Sequence, residues 1–106
     1  MEALFVYITC GSQEEAQKIG ASLVQDRLAA CANIIPGMTS IYQWKGRIEQ
    51  DQEIVLIAKT TRSQLEALTQ HVTQLHSYEV PCVVALPIQG GNPDYLQWIK
   101  TVINEQ

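Results

Sequence analysis

The side chains best suited to chemistry in this 106-residue chain are three cysteines, Cys10, Cys31 and Cys82, and two histidines, His71 and His76. The cysteine number is odd and no CxxC occurs, so neither a disulfide scaffold nor a zinc knuckle is expected, and the thiols are expected to be reduced. Cys10 closes an apolar run and is followed by Gly11. A thiol at such a strand end can be open to solvent, and thiolate is a good ligand for Cu(I); a buried strand-terminal cysteine is the equal alternative. Cys31 lies in Ala-Ala-Cys-Ala and reads as core packing. His76 lies in a connection, where a lone histidine more often serves as a hydrogen-bonding group than as a ligand. His71 falls off the apolar stripe of its helix and reads as solvated. Cys10, His76 and Cys82 are therefore the metal candidates, a thiolate and imidazole set that suits copper or zinc over magnesium.

A second group comprises Lys59, Tyr78, Glu79, Trp44 and Trp98. In an oligomer these residues can line a cleft between subunits, with lysine and tyrosine polar and tryptophan as a wall. The preferred reading is plainer: an interface hydrogen-bond network around one lysine and one carboxylate, since buried charges need partners. No GxSxG, P-loop, HExxH or Gly-rich dinucleotide fingerprint occurs, so no enzymatic activity is expected.

The elements that must position these residues begin with Ala3 to Cys10, a continuous apolar run that reads as a central strand. Ser12 as N-cap and Glu15 three residues on form a capping box, opening a helix expected to reach Leu28 or Ala29. Residues 27–60 hold two long strands joined at Lys45-Gly46, where glycine supplies the positive φ of a two-residue turn. That turn sets Trp44 opposite Arg47 and Tyr42 opposite Glu49, and counting outward sets Ile35 opposite Leu56 and Ile34 opposite Ile57. Pro36-Gly37 marks a bulge. Thr61 is expected to cap a second helix with Leu65, Leu68, Val72 and Leu75 as its apolar stripe. Val80 to Ile88, bracketed by prolines, reads as an edge strand. Asn92 and Pro93 open a last helix, with Tyr95, Trp98 or Ile99, Val102 and Ile103 as its apolar face.

The order β-α-β-β-α-β plus a C-terminal helix is the ferredoxin-like pattern, an α+β fold in one domain spanning residues 1–106. In such a sheet the first and last strands are antiparallel neighbours. Residues 10 and about 80 should therefore come together, with His76 and Cys82 in reach.

Each arm of the hairpin has about 14 residues and extends roughly 45 Å, whereas a domain of this size has a radius of gyration near 13 Å. The hairpin should overshoot its own domain, and its tip carries Ile41, Tyr42, Trp44 and Ile48. Since an isolated ribbon is marginal in water, the tip is expected to pack on another copy of the chain. Only 17% of residues are charged and the net charge is −4. With no basic patch, nucleic acid is not an expected partner. No apolar run approaches the ~20 residues of a membrane helix, and Glu2 without a basic n-region predicts no signal peptide. A cytoplasmic location is expected.

Four segments carry a family resemblance: RLAACANIIPGMTSIYQWKGRIEQDQE from Arg27, KTT at Lys59 to Thr61, HSYEVP at His76 to Pro81, and GNPDYLQWI at Gly91 to Ile99. Together they resemble the CutA divalent-cation-tolerance family over residues 3–103. The resemblance implies a ferredoxin-like protomer, a PII-like homotrimer with interlocking hairpins, and a tie to divalent metals, copper in particular, without a required cofactor. It also implies that Cys10 matches the family's copper-binding cysteine and His76 the histidine before its Pro-Tyr motif, with Ser77 here in place of that proline. Leu75 stands where some members have a second histidine, and Cys82 where some have glutamate. The leading expectation is a cytoplasmic homotrimer that binds divalent metal and takes part in the response to metal ions. The alternatives are a PII-like trimer holding a small anionic effector between subunits, or a stable protein-interaction scaffold.

Overall fold

Leu4, Val6, Ile8 and Cys10 alternate along the first strand, β1 (Ala3–Cys10), and none of the four is exposed to solvent. This puts β1 at the centre of the computed structural model, which describes residues 2–104. There follow α1 (Gln13–Gln25), β2 (Cys31–Trp44), β3 (Arg47–Thr61), a 3-10 turn at Arg62–Gln64, α2 (Leu65–Leu75), β4 (Val83–Pro87) and α3 (Pro93–Asn104). The sheet order is β2-β3-β1-β4, antiparallel throughout, so the fold is α+β with the expected ferredoxin-like order.

Strand periodicity assigns the two faces. Even-numbered residues of β1 and β3 join Ala16, Ile19, Leu23, Leu68 and Val72 of the two helices in the main core. On the opposite face α3 lays Ile99 and Ile103 against Ala30 and Ile88. Of the alternatives Trp98 and Ile99, Ile99 is the buried one. Asn92 caps α3 as expected, its Oδ1 accepting the Asp94 N–H at 3.0 Å. The rest of that face stays uncovered, with Ile35, Val84 and Leu86 about half exposed.

The hairpin turn carries positive φ at both Lys45 and Gly46, matching the twist of the flanking strands. Trp44 pairs with Arg47 and Tyr42 with Glu49, as counted from the turn. Below the bulge the register differs from that count by one residue: Ile35 lies opposite Val55 and Ile34 opposite Leu56. The irregularity between Ile35 and Met38 inserts one unmatched residue, with Gly37 at φ 88°. The molecule measures 44 × 25 × 22 Å, with a radius of gyration of 14.3 Å. Ile41 and Ile48 near the tip are 68% and 76% exposed.

Four other features depart from the sequence reading. Helix α1 stops at Gln25 because Arg27 adopts φ 57°, and the Leu28 N–H turns back to the Leu23 carbonyl at 2.9 Å. Thr61 makes no side-chain cap; its hydroxyl meets the Ser63 hydroxyl, and the 3-10 turn intervenes before α2. Pairing of β4 begins only at Val83, after Pro81, which has no N–H to give. Cys31 is half-buried on the α3 face, its Sγ 3.4 Å from the Tyr95 hydroxyl, rather than packed in the main core.

Candidate metal centre

Three segments meet at the C-terminal end of β1. The strand delivers Cys10, fully buried, on the helix-covered face. Gly11 and Ser12 turn the chain into α1, and the Ser12 Oγ accepts the Glu15 N–H at 3.1 Å. This cap fixes Glu15 in the first turn with its carboxylate directed back toward the strand. Glu15 Oε1 accepts the Gly11 N–H at 3.3 Å, one residue before the N-cap that a capping box would use, and Oε2 accepts the Ser77 N–H at 2.9 Å. From the other side, the end of α2 inserts the His76 ring, whose side chain has no solvent exposure.

His76 Nε2 lies 2.7 Å from the Thr9 carbonyl oxygen. A carbonyl only accepts, so Nε2 carries the proton. Nδ1 accepts the Tyr78 N–H at 3.1 Å and lies 3.9 Å from Glu15 Oε1. The ring is therefore neutral, with its Nδ1 lone pair engaged by the Tyr78 N–H. One ligand atom each from Cys10, Glu15 and His76 lie within 4.8 Å of one another. Burial, then the charges of Glu15 and Glu53, push the Cys10 thiol up to about 12. Burial works to raise Glu15, but the hydrogen bonds from Ser77 and Gly11 outweigh it and hold the carboxyl below its usual range.

The donor set fits a tetrahedral or lower-coordinate ion. Bond lengths of ~2.0–2.3 Å place donors roughly 3.5 Å apart around such a metal, so a contraction of about 1 Å closes the cluster. The Nε2–H bond to a backbone carbonyl is the outer contact that metal-ligating histidines use to fix tautomer and orientation. Of the three, only Glu15 keeps solvent exposure, 16% of its side chain.

The sequence reading of Cys10 and His76 as neighbours holds. Cys82 does not join them; it lines a groove of about 750 Å³ on the other face of the sheet with Tyr42, Trp44, Glu53, Tyr78 and Glu79. Glu15 was accounted for by helix capping and so did not stand out as a ligand. The S-x-x-E spacing at the end of a strand was the available signal, since it aims a carboxylate at the residue that ends the strand.

Tyr78 joins the two regions. Its ring lies 4.6 Å from that of His76, and its hydroxyl donates to Glu53 Oε2 at 2.7 Å. Burial and that bond raise its phenol well above the usual range. Glu53 is only 7% exposed. Tyr78→Phe should destabilise the protein by about 1–3 kcal/mol, because the buried carboxylate loses its donor. Thermal unfolding of the variant checks this; an unchanged midpoint would mean that Glu53 finds another partner.

The second candidate group divides. Trp44, Tyr78 and Glu79 line the groove, as do Asp51, which accepts from the Tyr42 hydroxyl, and Glu53. Lys59 lies elsewhere, donating to Asn33 Oδ1 at 2.7 Å with its Nζ 5.7 Å from the centre of the Tyr95 ring. Trp98 stacks on the same tyrosine, with ring centroids 5.5 Å apart. Lys59 and Glu79 thus lie apart within the protomer. His71 is not simply solvated: its Nε2 is 2.7 Å from Ser22 Oγ and 3.8 Å from Asp26 Oδ2. Both neighbours address the same ring nitrogen, so the three do not form a nucleophile relay, in which serine and carboxylate occupy opposite nitrogens.

Residues 4–102 match the family model described as CutA1 divalent ion tolerance protein. The chain is 50% identical over 95 residues to the divalent-cation tolerance protein CutA of Thermus thermophilus, covering 90% of this chain and 92% of that one. It is 49% identical over 98 residues to the chloroplastic protein CutA of Arabidopsis thaliana, covering 92% of this chain and 54% of that one. The chain thus spans little more than half the length of the plant relative. Among solved structures, CutA1 from Oryza sativa superposes with a TM-score of 0.94 at 44% identity, covering 100% of this chain and 97% of the other. None of these descriptions names a catalytic activity. Among the described residues, no helix is long and apolar enough to cross a membrane.

Proposed function

Because this chain belongs to the CutA1 divalent ion tolerance family, we propose that it acts in divalent-cation tolerance by binding a soft or borderline metal ion, copper first, at Cys10 and His76. The observation that carries this reading is the convergence of a thiol, an imidazole lone pair and a carboxylate within 4.8 Å. The role is binding rather than catalysis, and no resident cofactor is required. Three free cysteines suit a reducing compartment such as the cytoplasm.

The working unit we propose is a homotrimer. A hairpin tip with exposed Ile41 and Ile48 and a sheet face with half-exposed Ile35, Val84 and Leu86 support it, since monomers rarely leave so much contiguous apolar surface in water. The anionic-effector alternative gains nothing from the protomer's groove, whose lining includes Asp51 and Glu53 and no lysine or arginine.

Calorimetric titration of the purified protein with Cu(II) and Zn(II) tests the metal reading. Saturable binding of at most about one ion per chain is expected; the absence of saturable binding to either ion would sink it. The pH dependence has a definite sign. The Cys10 thiol titrates near 12 without metal, so at neutral pH binding must displace its proton to solvent. Affinity should therefore rise about tenfold per pH unit between about pH 7 and 9. A flat profile would show that Cys10 does not bind as thiolate.

A further inference from the structure

We infer that Glu15 is the third donor of this site and makes it select a dication over a monocation. The inference rests on the metal reading proposed above, and it assigns a residue that capping alone had explained.

The argument is one of charge in a closed space. Cys10 and the His76 side chain have no solvent exposure, and Glu15 retains only 16%. His76 contributes a neutral nitrogen, because its proton is held on Nε2 by the Thr9 carbonyl. A bound thiolate and the Glu15 carboxylate contribute two negative charges. A dication leaves the pocket neutral. A monocation leaves one negative charge uncompensated in a largely buried pocket, which is costly. Without the carboxylate the sum reverses: thiolate and imidazole alone balance a monocation and are the softer pair that Cu(I) prefers.

Glu15 is also held ready for the task. The Gly11 and Ser77 N–H groups fix both carboxylate oxygens, and Oε1 stands 3.9 Å from His76 Nδ1, the unprotonated ring nitrogen. Ligation through Nδ1 takes the place of the Tyr78 N–H that now occupies it. Glu15 is also the one donor of the three that keeps solvent exposure.

The test uses the full chain, reduced and freed of metal, with competition titrations against chromogenic chelators for Zn(II) and for Cu(I). Co(II) absorption serves as a direct report of thiolate ligation. Glu15→Gln keeps the size and removes the charge. It should lower Zn(II) and Co(II) affinity by roughly 10–100-fold and leave Cu(I) affinity within about threefold of the parent. Glu15→Asp keeps the charge with a shorter reach. Its affinities fall, but the ratio of Zn(II) to Cu(I) affinity should stay near that of the parent, and it supplies the test if the glutamine variant does not fold. Equal losses for both ions in a folded Glu15→Gln protein would overturn the inference, since a merely structural role affects both alike. Unchanged Zn(II) affinity would overturn it too. A parent protein that binds neither ion fails the underlying metal reading before any variant is made, and this inference with it.

Discussion

Replacing Tyr42 and Trp44 together with serine should break the proposed trimer into smaller species at micromolar concentration. The two rings sit near the end of a hairpin that makes the molecule 44 Å long and only 22–25 Å across. They are 41% and 40% exposed in the protomer, beside Ile41 and Ile48, which are exposed further still. Among the described residues no core lies beyond them, so the proposed trimer would bury them against a neighbouring copy. Truncating two aromatic anchors at an interface centre weakens association by roughly a hundredfold or more. Light scattering of the parent should give three times the chain mass, and that of the double variant less. The parent's thermal midpoint should also rise with protein concentration, because association stabilises only the folded chain. A parent at monomer mass would remove the trimer from the proposal. A double variant with parental mass and midpoint would show that the tip stays free.

Cys10→Ala should abolish most metal binding. The thiol is the one soft donor among the three, and it has no neighbour of its own kind to replace it, since Cys82 faces the groove on the other side of the sheet. The loss should reach at least ~100-fold, the upper end of what removing only an outer partner of a ligand costs. His76→Ala should weaken binding as well, and it also removes the contacts to Thr9 and Tyr78. Its fold must therefore be checked by circular dichroism alongside calorimetry, whereas Cys10→Ala removes a side chain that only packs. If both variants bind copper as the parent does, the metal lies elsewhere and the proposed centre is wrong. Cys82→Ala is the control: its affinity should remain that of the parent.

Local rules served best where one residue type answers one backbone requirement. Lys45-Gly46 set the hairpin turn and the pairing of Trp44 with Arg47, and Asn92-Pro93 set the start of α3. Ser12 capped α1 as its spacing required. The same rules failed wherever a distant contact competed. Arg27 entered a left-handed conformation and ended α1 three residues before its apolar pattern did, so that Leu28 packs on the core from a turn. The bulge at Pro36-Gly37 was legible, but its size was not, and one extra residue moved every pair below it.

The candidate site divides along the same line. Element order determined that the end of β1 would lie beside the start of β4, because in a split β-α-β sheet those strands are neighbours; Cys10 and His76 followed from that alone. Which atoms face one another was left to tertiary structure. Side-chain direction in a loop is set by hydrogen bonds made across the fold, and these reach far in sequence: His76 to the Thr9 carbonyl, Ser77 to Glu15, Tyr78 to Glu53. Those bonds choose the histidine tautomer and turn a capping glutamate into a potential ligand. Cys82, just before β4, faces away because it keeps the alternation of that strand, in which Val83 and Ala85 turn to the main core and Val84 and Leu86 to the other face. Periodicity and spacing thus determined which segments meet, and the pairing of buried polar groups decided which of their side chains can act together.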